Sequence, residues 1–180
     1  MDWLLVLRIG AAATLTACSA APPAATLPPQ TIAVAIEGPD RAVATTLPVG
    51  ATCRGAGRAP GLTWGPPPAD ARDVLVIAQA RSGATHWLVW GLDPDAARLP
   101  PGLVAEQAPP LQGVNDAGII GWLAPCTPPS PSDDLLKIEL FVLSSPLLAP
   151  PSLDAVALRT RAAPTVIASG EIVLPVWDSP

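Results

Sequence analysis

Alternating apolar and polar residues predict that this chain folds mostly as β-strands. Residues 31–36 and 135–143 place an apolar side chain at every second position, which is the period of a half-buried strand. Residues 74–78 form an unbroken apolar run, which is typical of a central strand covered on both sides. Residues 165–176 supply a last strand. The 25 prolines and 14 glycines keep these segments short, so the predicted fold class is mainly β.

One segment, residues 152–161, has the signals of a helix instead. Ser152 is the expected N-cap, and Asp154 lies in the first turn, where a carboxylate is favourable. Arg159 and Arg161 fall near the C-terminal end, where cations are favourable. The sequence therefore predicts a short helix beside the strands.

The first residues resemble an export signal. Residues 1–17 contain Arg8 and an apolar stretch, and the segment from Leu15 to Cys18 has the pattern of a bacterial lipoprotein cleavage site. Asp2 and Trp3 replace the usual basic opening. An ordinary secretory peptide and a buried N-terminal strand are therefore the alternatives.

Cleavage before Cys18 would divide the chain into three parts. We expect a lipoprotein signal peptide over residues 1–17, an Ala- and Pro-rich tether over residues 18–30 and one domain over residues 31–180. Ser19, where Asp would signal retention, resembles lipoproteins sent to the outer membrane. The expected location is the cell envelope, with the protein lipid-anchored to the membrane and facing the periplasm.

Cysteine usage agrees with an oxidising compartment. If Cys18 carries the lipid, Cys53 and Cys126 are the two thiols left, and such pairs are usually oxidised there. We predict a Cys53–Cys126 disulfide. The alternatives are two buried free thiols or a metal site, and metal is disfavoured because the chain has one histidine and no CxxC or HxxxH spacing.

Composition limits the classes of partner. Ten basic residues stand against fifteen acidic ones, giving a formal net charge of −5, and no basic run occurs. Nucleic acid is therefore a poor partner. No apolar stretch reaches the roughly 18 residues needed to span a bilayer, so we expect membrane attachment through the N-terminal lipid.

The segment from Gly113 to Pro129, GVNDAGIIGWLAPCTPP, concentrates residues that prescribe a backbone path. Its glycines allow positive φ, Asn115 and Asp116 can bond to the backbone of a turn, and its prolines fix φ. A long, rigid loop is predicted. Such a loop either walls a binding site or serves as a structural crossover between strands.

Four motifs follow one another along the chain: TCRG at 52–55, APGLTW at 59–64, HWLVW at 86–90 and the Gly113–Pro129 segment. Their order resembles the phosphatidylethanolamine-binding protein family, in its bacterial Raf-kinase-inhibitor-like branch, which usually has Tyr where this chain has Trp122. The resemblance covers about Thr31 to Trp177. It implies a β-sandwich-like fold, with a large antiparallel sheet packed on a smaller one and a short C-terminal helix. It also implies a small pocket that binds anions such as phosphate or phospholipid head groups.

The resemblance also implies the residues of that pocket, and most are replaced here. The family's acidic segment falls near Gln79-Ala80-Arg81, and its His-Arg-Tyr segment falls near Asp134-Leu135-Leu136, so His86 alone is retained. Arg81 and His86 together could hold a phosphate, whereas Asp134 would repel an anion. The candidate ligand-binding residues are therefore Gln79, Arg81, His86, Trp122 and Asp134. In the alternative interpretation, His86 is structural and the tryptophans belong to the core.

Catalysis is not expected. Nucleophilic hydrolysis needs a nucleophile, a base and an orienting group, and no Gly-x-Ser-x-Gly elbow accompanies the single histidine. We expect a binding protein without a cofactor or metal, whose pocket around His86 is degenerate compared with the family's. The alternative function is a non-catalytic protein-interaction or inhibitor-like module with a vestigial pocket and an unidentified protein partner.

Overall fold

The computed structural model describes residues 29–105, 109–126 and 135–177. Within these ranges the chain forms two β-sheets and one short α-helix, which confirms the predicted mainly β class. The expected signal peptide, Cys18 and Asp134 lie outside the described residues. The strands are β1 Gln30–Thr31, β2 Val34–Glu37, β3 Val43–Ala44, β4 Gly61–Trp64, β5 Asp73–Ala80, β6 Thr85–Leu92, β7 Arg98–Leu99, β8 Leu111–Gln112, β9 Leu135–Leu143 and β10 Val166–Pro175, and the helix is α1 Ala155–Ala162.

The larger sheet has six strands in the order β1-β10-β9-β5-β6-β8. Its neighbours pair antiparallel except β1, which pairs parallel to β10. Strand β9 has the predicted bounds, and its side chains at even-numbered positions are buried. The period of two in the sequence therefore identified this strand and its buried face.

Strand β5 lies inside the larger sheet and is covered on both faces, as its apolar run predicted. Val74 and Val76 belong to the core between the two sheets. Leu75 and Ile77 belong to a second core under helix α1. All four side chains are fully buried.

The smaller sheet has the order β3-β2-β4-β7 and packs against the larger one through a shared core. The strand predicted at residues 31–36 is divided between the sheets: β1 joins the larger sheet and β2 the smaller one. The chain crosses at Ile32, whose N–H bonds to the carbonyl of Ser169. Alternation continues through such a crossing, so the pattern did not reveal it.

Helix α1 begins later than predicted. Its N-cap is Asp154, whose carboxylate accepts a 2.8 Å hydrogen bond from the N–H of Ala157, and not Ser152. The N–H of Leu153 bonds to the carbonyl of Pro150, so the preceding residues form a turn. Both residue types cap helices well, and the turn after two prolines decides between them. Arg159 and Arg161 lie in the last turn, as predicted.

Candidate functional site

A cavity of about 450 Å³ opens where β5 ends and β9 begins. Two segments meet there that are far apart in the sequence, the turn after β5 and the first residues of β9. Gly83 adopts a φ of 95° in that turn, a conformation that glycine takes without strain. The cavity is lined by Gln79, Ala80, Arg81, Gly83, Leu135, Lys137 and Val173.

The amide of Gln79 is fixed in the wall of this cavity. Its Oε1 accepts a 2.7 Å hydrogen bond from Arg159 on helix α1. Its Nε2 donates to the carbonyl of Gly83 at 3.0 Å and to Oγ1 of Thr85 at 3.2 Å. Because both amide atoms already have partners, Gln79 shapes the wall and holds the turn in place.

The side chains around the cavity carry a net positive charge. Lys137 Nζ lies 2.8 Å from the carboxylate of Glu139, which also pairs with Arg159. Burial raises the pKa of Glu139, but the hydrogen bonds and charges of Lys137 and Arg159 outweigh burial, so that the pKa is lowered overall. Arg81, which is exposed, and Lys137 line the cavity, and Arg159 reaches its wall through the bond to Gln79, in a protein whose formal charge is −5.

His86 lies outside the lining of that cavity, beside the Gly113–Pro129 segment. A β-bulge between Ala78 and Gln79 leaves His86 without a partner in β5. Its Nδ1 is 2.7 Å from the carbonyl oxygen of Leu123, and a carbonyl only accepts, so Nδ1 carries a proton. The N–H of Leu123 in turn donates to the carbonyl of His86 at 2.8 Å. The half-buried imidazole is thus held to the loop at one nitrogen.

Trp122 joins His86 to the core between the sheets. Its ring centroid lies 6.2 Å from that of His86 and 5.6 Å from that of Trp87, in an edge-to-face arrangement with Trp87. Its Nε1 donates to the carbonyl of Ala51 at 2.9 Å. The indole therefore joins the Gly113–Pro129 segment to the loop before β4, which is a structural role for this residue.

The candidate ligand residues thus divide into two groups. Gln79 and Arg81 lie in the cavity wall, whereas His86 and Trp122 contact each other beside the loop. Asp134 lies outside the described residues. The part these side chains take in ligand binding stays a prediction.

The Gly113–Pro129 segment follows the rigid path that its composition predicted, over the residues described. Asn115 is buried, and its Oδ1 accepts from the N–H of Ala117 while its Nδ2 donates to the carbonyl of Gly121. Gly118 and Gly121 adopt φ values of 77° and 107°. These contacts fix the loop from both ends.

A disulfide links this segment to the loop before β4, as predicted. Cys53 and Cys126 are joined, with their Cα atoms 5.1 Å apart. The N–H of Cys53 also donates to the carbonyl of Pro125 at 3.0 Å. Both cysteines are exposed.

Sequence reasoning missed three charged residues: Lys137, which lines the cavity, and the ion-paired Glu139 and Arg159 next to it. The first two were assigned to the polar face of a strand and the third to a helix end. The sequence gave a partial indication of these residues, because polar side chains on one face of a strand need a partner when a helix covers that face. The helix residue that contacts them depends on where the helix lies on the sheet. The spacing of residues in the sequence does not give that position.

Within the described ranges, the structure contains neither a membrane-spanning helix nor a cluster of metal ligands. No helix there has both the length and the apolar character needed to cross a bilayer. No three side chains of His, Cys, Asp or Glu type converge there as metal ligands would.

The structure defines a two-sheet β-protein with a helix on the outer face of the larger sheet and a cavity at the end of that sheet. Residues 38–177 match the family model described as "Phosphatidylethanolamine-binding protein". The chain therefore belongs to the phosphatidylethanolamine-binding protein family, as its motifs indicated.

Relatives and solved structures agree with this membership. The chain is 32% identical over 162 residues to "Putative lipoprotein LppC" of Mycobacterium tuberculosis, covering 87% of this chain and 75% of that protein. It is 31% identical over 96 residues to a "UPF0098 protein" of Methanothermobacter thermautotrophicus, covering 46% of this chain and 59% of that protein.

Two solved structures share the fold. The Chlamydia trachomatis phosphatidylethanolamine-binding protein homologue CT736 superimposes with a TM-score of 0.68 at 23% identity, covering 82% of this chain and 99% of that one. Escherichia coli YbcL gives a TM-score of 0.62 at 20% identity, covering 83% and 98%.

Proposed function

We propose that this chain is a lipid-anchored protein of the cell envelope that binds a small anion, either phosphate or the head group of a phospholipid, without converting it chemically. The observation that carries the proposal is the presence of Arg81 and Lys137 in the lining of one cavity of an acidic protein, with Arg159 bonded to Gln79 in the cavity wall. A cavity of about 450 Å³ is in the size range of small-molecule sites.

Lipid attachment at Cys18 is supported by two observations. The segment from Leu15 to Cys18 has the lipoprotein cleavage pattern. A relative that is 32% identical over 162 aligned residues, which cover 87% of this chain, is named as a lipoprotein. The proposed location is the periplasmic side of the outer membrane, as Ser19 suggests.

The anion would bind chiefly to Arg81. Lys137 and Arg159 are already paired with Glu139. They would therefore attract the anion electrostatically more than contact it directly. Arg81 is exposed at the cavity, and its planar guanidinium can bond two oxygens of one phosphate.

His86 would contribute from the neighbouring strand end. It follows Thr85, whose hydroxyl is hydrogen-bonded to Gln79 in the cavity wall. Because Leu123 occupies Nδ1, the imidazole would offer Nε2–H to an anion when it is protonated. In this proposal the ligand pocket extends from Arg81 towards His86.

Calorimetric titration of the full lipidated chain in detergent tests the site. The ligands are inorganic phosphate, phosphoethanolamine and glycerophosphate. We expect Arg81→Ala to weaken binding about tenfold or more, because a charge-assisted hydrogen bond contributes about 1.5–3 kcal/mol. Arg161→Ala is the matched control, since it removes the same charge from an exposed position on α1.

His86→Gln separates the two parts of the proposed pocket. Weaker binding in this variant would place His86 at the ligand, whereas unchanged binding would restrict the site to the cavity. Absence of binding heat for all three ligands, or an equal effect of Arg81→Ala and Arg161→Ala, would reject the binding function.

Intact-mass spectrometry of the protein extracted from membranes tests the anchor. The expected mass corresponds to a chain that begins at Cys18 and carries acyl groups, and Cys18→Ala should abolish both cleavage and acylation. An unacylated chain in the wild-type protein would reject the anchor while leaving the anion site open to the titration.

A further inference from the structure

Three aliphatic side chains are exposed at the Gly113–Pro129 segment, which contains two of them. Val104, Ile119 and Ile120 are 55%, 54% and 43% exposed. Val104 and Ile120 line one cleft of about 510 Å³, and Ile119 adjoins Ile120 in the chain. These three residues are called the aliphatic patch below.

The loop that carries the two isoleucines is held rigidly. Val114 pairs with Ile120 in an isolated β-bridge, and the buried Asn115 bonds to the backbone on both sides of the tip. The N–H of Gly118 donates to the carbonyl of Asn115 at 2.9 Å. These bonds fix the backbone of the tip, so both isoleucines are presented at the surface. Contiguous exposed apolar groups mark surfaces that contact a protein or a membrane.

A cation lies at the border of the patch. Arg58 is exposed and lines the same cleft as Val104 and Ile120. Aliphatic side chains flanked by a guanidinium suit the boundary between acyl chains and lipid phosphates, where the apolar groups insert and the cation stays at the phosphate level.

We propose that the aliphatic patch docks on the lipid bilayer and fixes the orientation of the domain on the membrane. This inference rests on the lipid anchor of the proposed function and is independent of the anion site. The lipid anchor would hold the domain close to the bilayer, which makes the bilayer the nearest apolar surface for the patch.

The distance from the anchor permits this docking. Eleven residue steps separate Cys18 from Pro29, the first described residue (29 minus 18), and such a chain spans at most about 36–40 Å. Strand β1 lies at one edge of the larger sheet, and β8, whose Gln112 bonds to the carbonyl of Val104, lies at the other. Five strand spacings of about 4.8 Å separate these edges by about 24 Å. The tether can therefore reach across the sheet while the patch faces the membrane.

Quenching by brominated lipids tests the orientation. The full lipidated chain is reconstituted in vesicles of phosphatidylethanolamine and phosphatidylglycerol with brominated acyl chains, and flotation measures the bound fraction. Ile119→Trp places a reporter in the patch. Val156→Trp is the matched control, because Val156 is 69% exposed on the helix. The fluorescence emission of each variant is compared with that of the wild type, so that the emission of the native tryptophans is subtracted.

We expect the brominated vesicles to remove roughly half or more of the emission added by Ile119→Trp and little of that added by Val156→Trp, since only the first would reach the acyl chains. A chain that floats and shows equal quenching at both positions overturns the docking alone. In that case, sedimentation compares the molecular mass of the wild type with that of the Ile119→Ser/Ile120→Ser variant. A lower mass for the variant would show that the patch contacts a second copy of this chain. A chain that does not float overturns the anchor and the docking together.

Discussion

The carboxylate of Asp73 accepts a 2.7 Å hydrogen bond from the N–H of Leu147. Its other oxygen accepts from the N–H of Gly91 at 2.8 Å. Burial raises the pKa of Asp73 by more than these backbone donors lower it. One buried carboxyl group therefore joins the start of β5 to the end of β6 and to the chain that leads into α1.

Asp73→Ala should destabilise the domain by about 2–5 kcal/mol, because two backbone N–H groups would lose their acceptor in the interior. Urea unfolding followed by tryptophan fluorescence measures the change. Asp70→Ala, at an exposed turn nearby, should shift the midpoint little. Similar midpoints for the two variants would contradict the role assigned to Asp73.

The ion pairs of Glu139 should make part of the stability dependent on pH. The pKa of Glu139 is lowered in the fold from its ordinary value of 4.5, so the folded carboxyl holds its proton less tightly than the unfolded one. Its contribution is present above about pH 4.5 and is lost as the pH falls through the folded pKa.

Glu139→Gln should therefore cost about 1 kcal/mol at pH 7, an estimate reduced for the partial exposure of both cations. The difference from the wild type should shrink below pH 4.5, and unfolding free energies at pH 7, 5 and 3.5 measure it. A difference that grows on acidification would show that the pKa is shifted the other way. Asp95→Asn, at an exposed position away from β9, is the control.

The Cys53–Cys126 disulfide closes a loop with a sequence separation of 73. For a loop of this length, the chain-entropy model gives about 4 kcal/mol of stabilisation. The double variant Cys53→Ser/Cys126→Ser should lose an amount of this order in urea unfolding, and the reduced wild type should match it. Rapid alkylation of both thiols without a reductant would be inconsistent with the disulfide.

Gly170 lies where β10 passes the crossing between the sheets. A Cβ added there would overlap the carbonyl oxygen of Ile32 and lie 2.7 Å from Cγ2 of Val34. Gly170→Ala should therefore destabilise by about 1–3 kcal/mol, as overpacking does. Gly50→Ala is the matched control, because a Cβ there meets nothing within 4 Å. Thermal unfolding compares the two, and an equal effect would rule out the steric argument.

The sequence predicted the strands well where burial follows a simple period. Strand β9 alternates and β5 is continuously apolar, and both were found with their expected faces covered. The crossing at Ile32 was missed because the alternation continues while the backbone changes sheets. The helix start was misplaced because Ser152 and Asp154 are both good caps, and the turn at Pro150 decides between them.

The resemblance indicated the neighbourhood of some candidate residues, and their part in binding stays a prediction. The family resemblance placed Gln79 and Arg81 at the pocket, and the structure places them in a cavity wall. The resemblance also grouped His86 with Arg81, whereas the bulge at the start of β6 sets His86 beside Trp122. A bulge inserts one residue without changing the composition of a strand, so the sequence pattern gave no sign of it.

The parallel pairing of β1 with β10 sets the order in which the domain can be completed. Gln30 faces Ala168 and Thr31 faces Ser169, so the strand nearest the expected anchor finds its partner at the far end of the chain. During synthesis, residues 30–31 must wait until residues 166–175 have emerged. A chain truncated before Val166 would leave β1 and the outer edge of β9 unpaired, and unpaired strand edges of this kind favour aggregation.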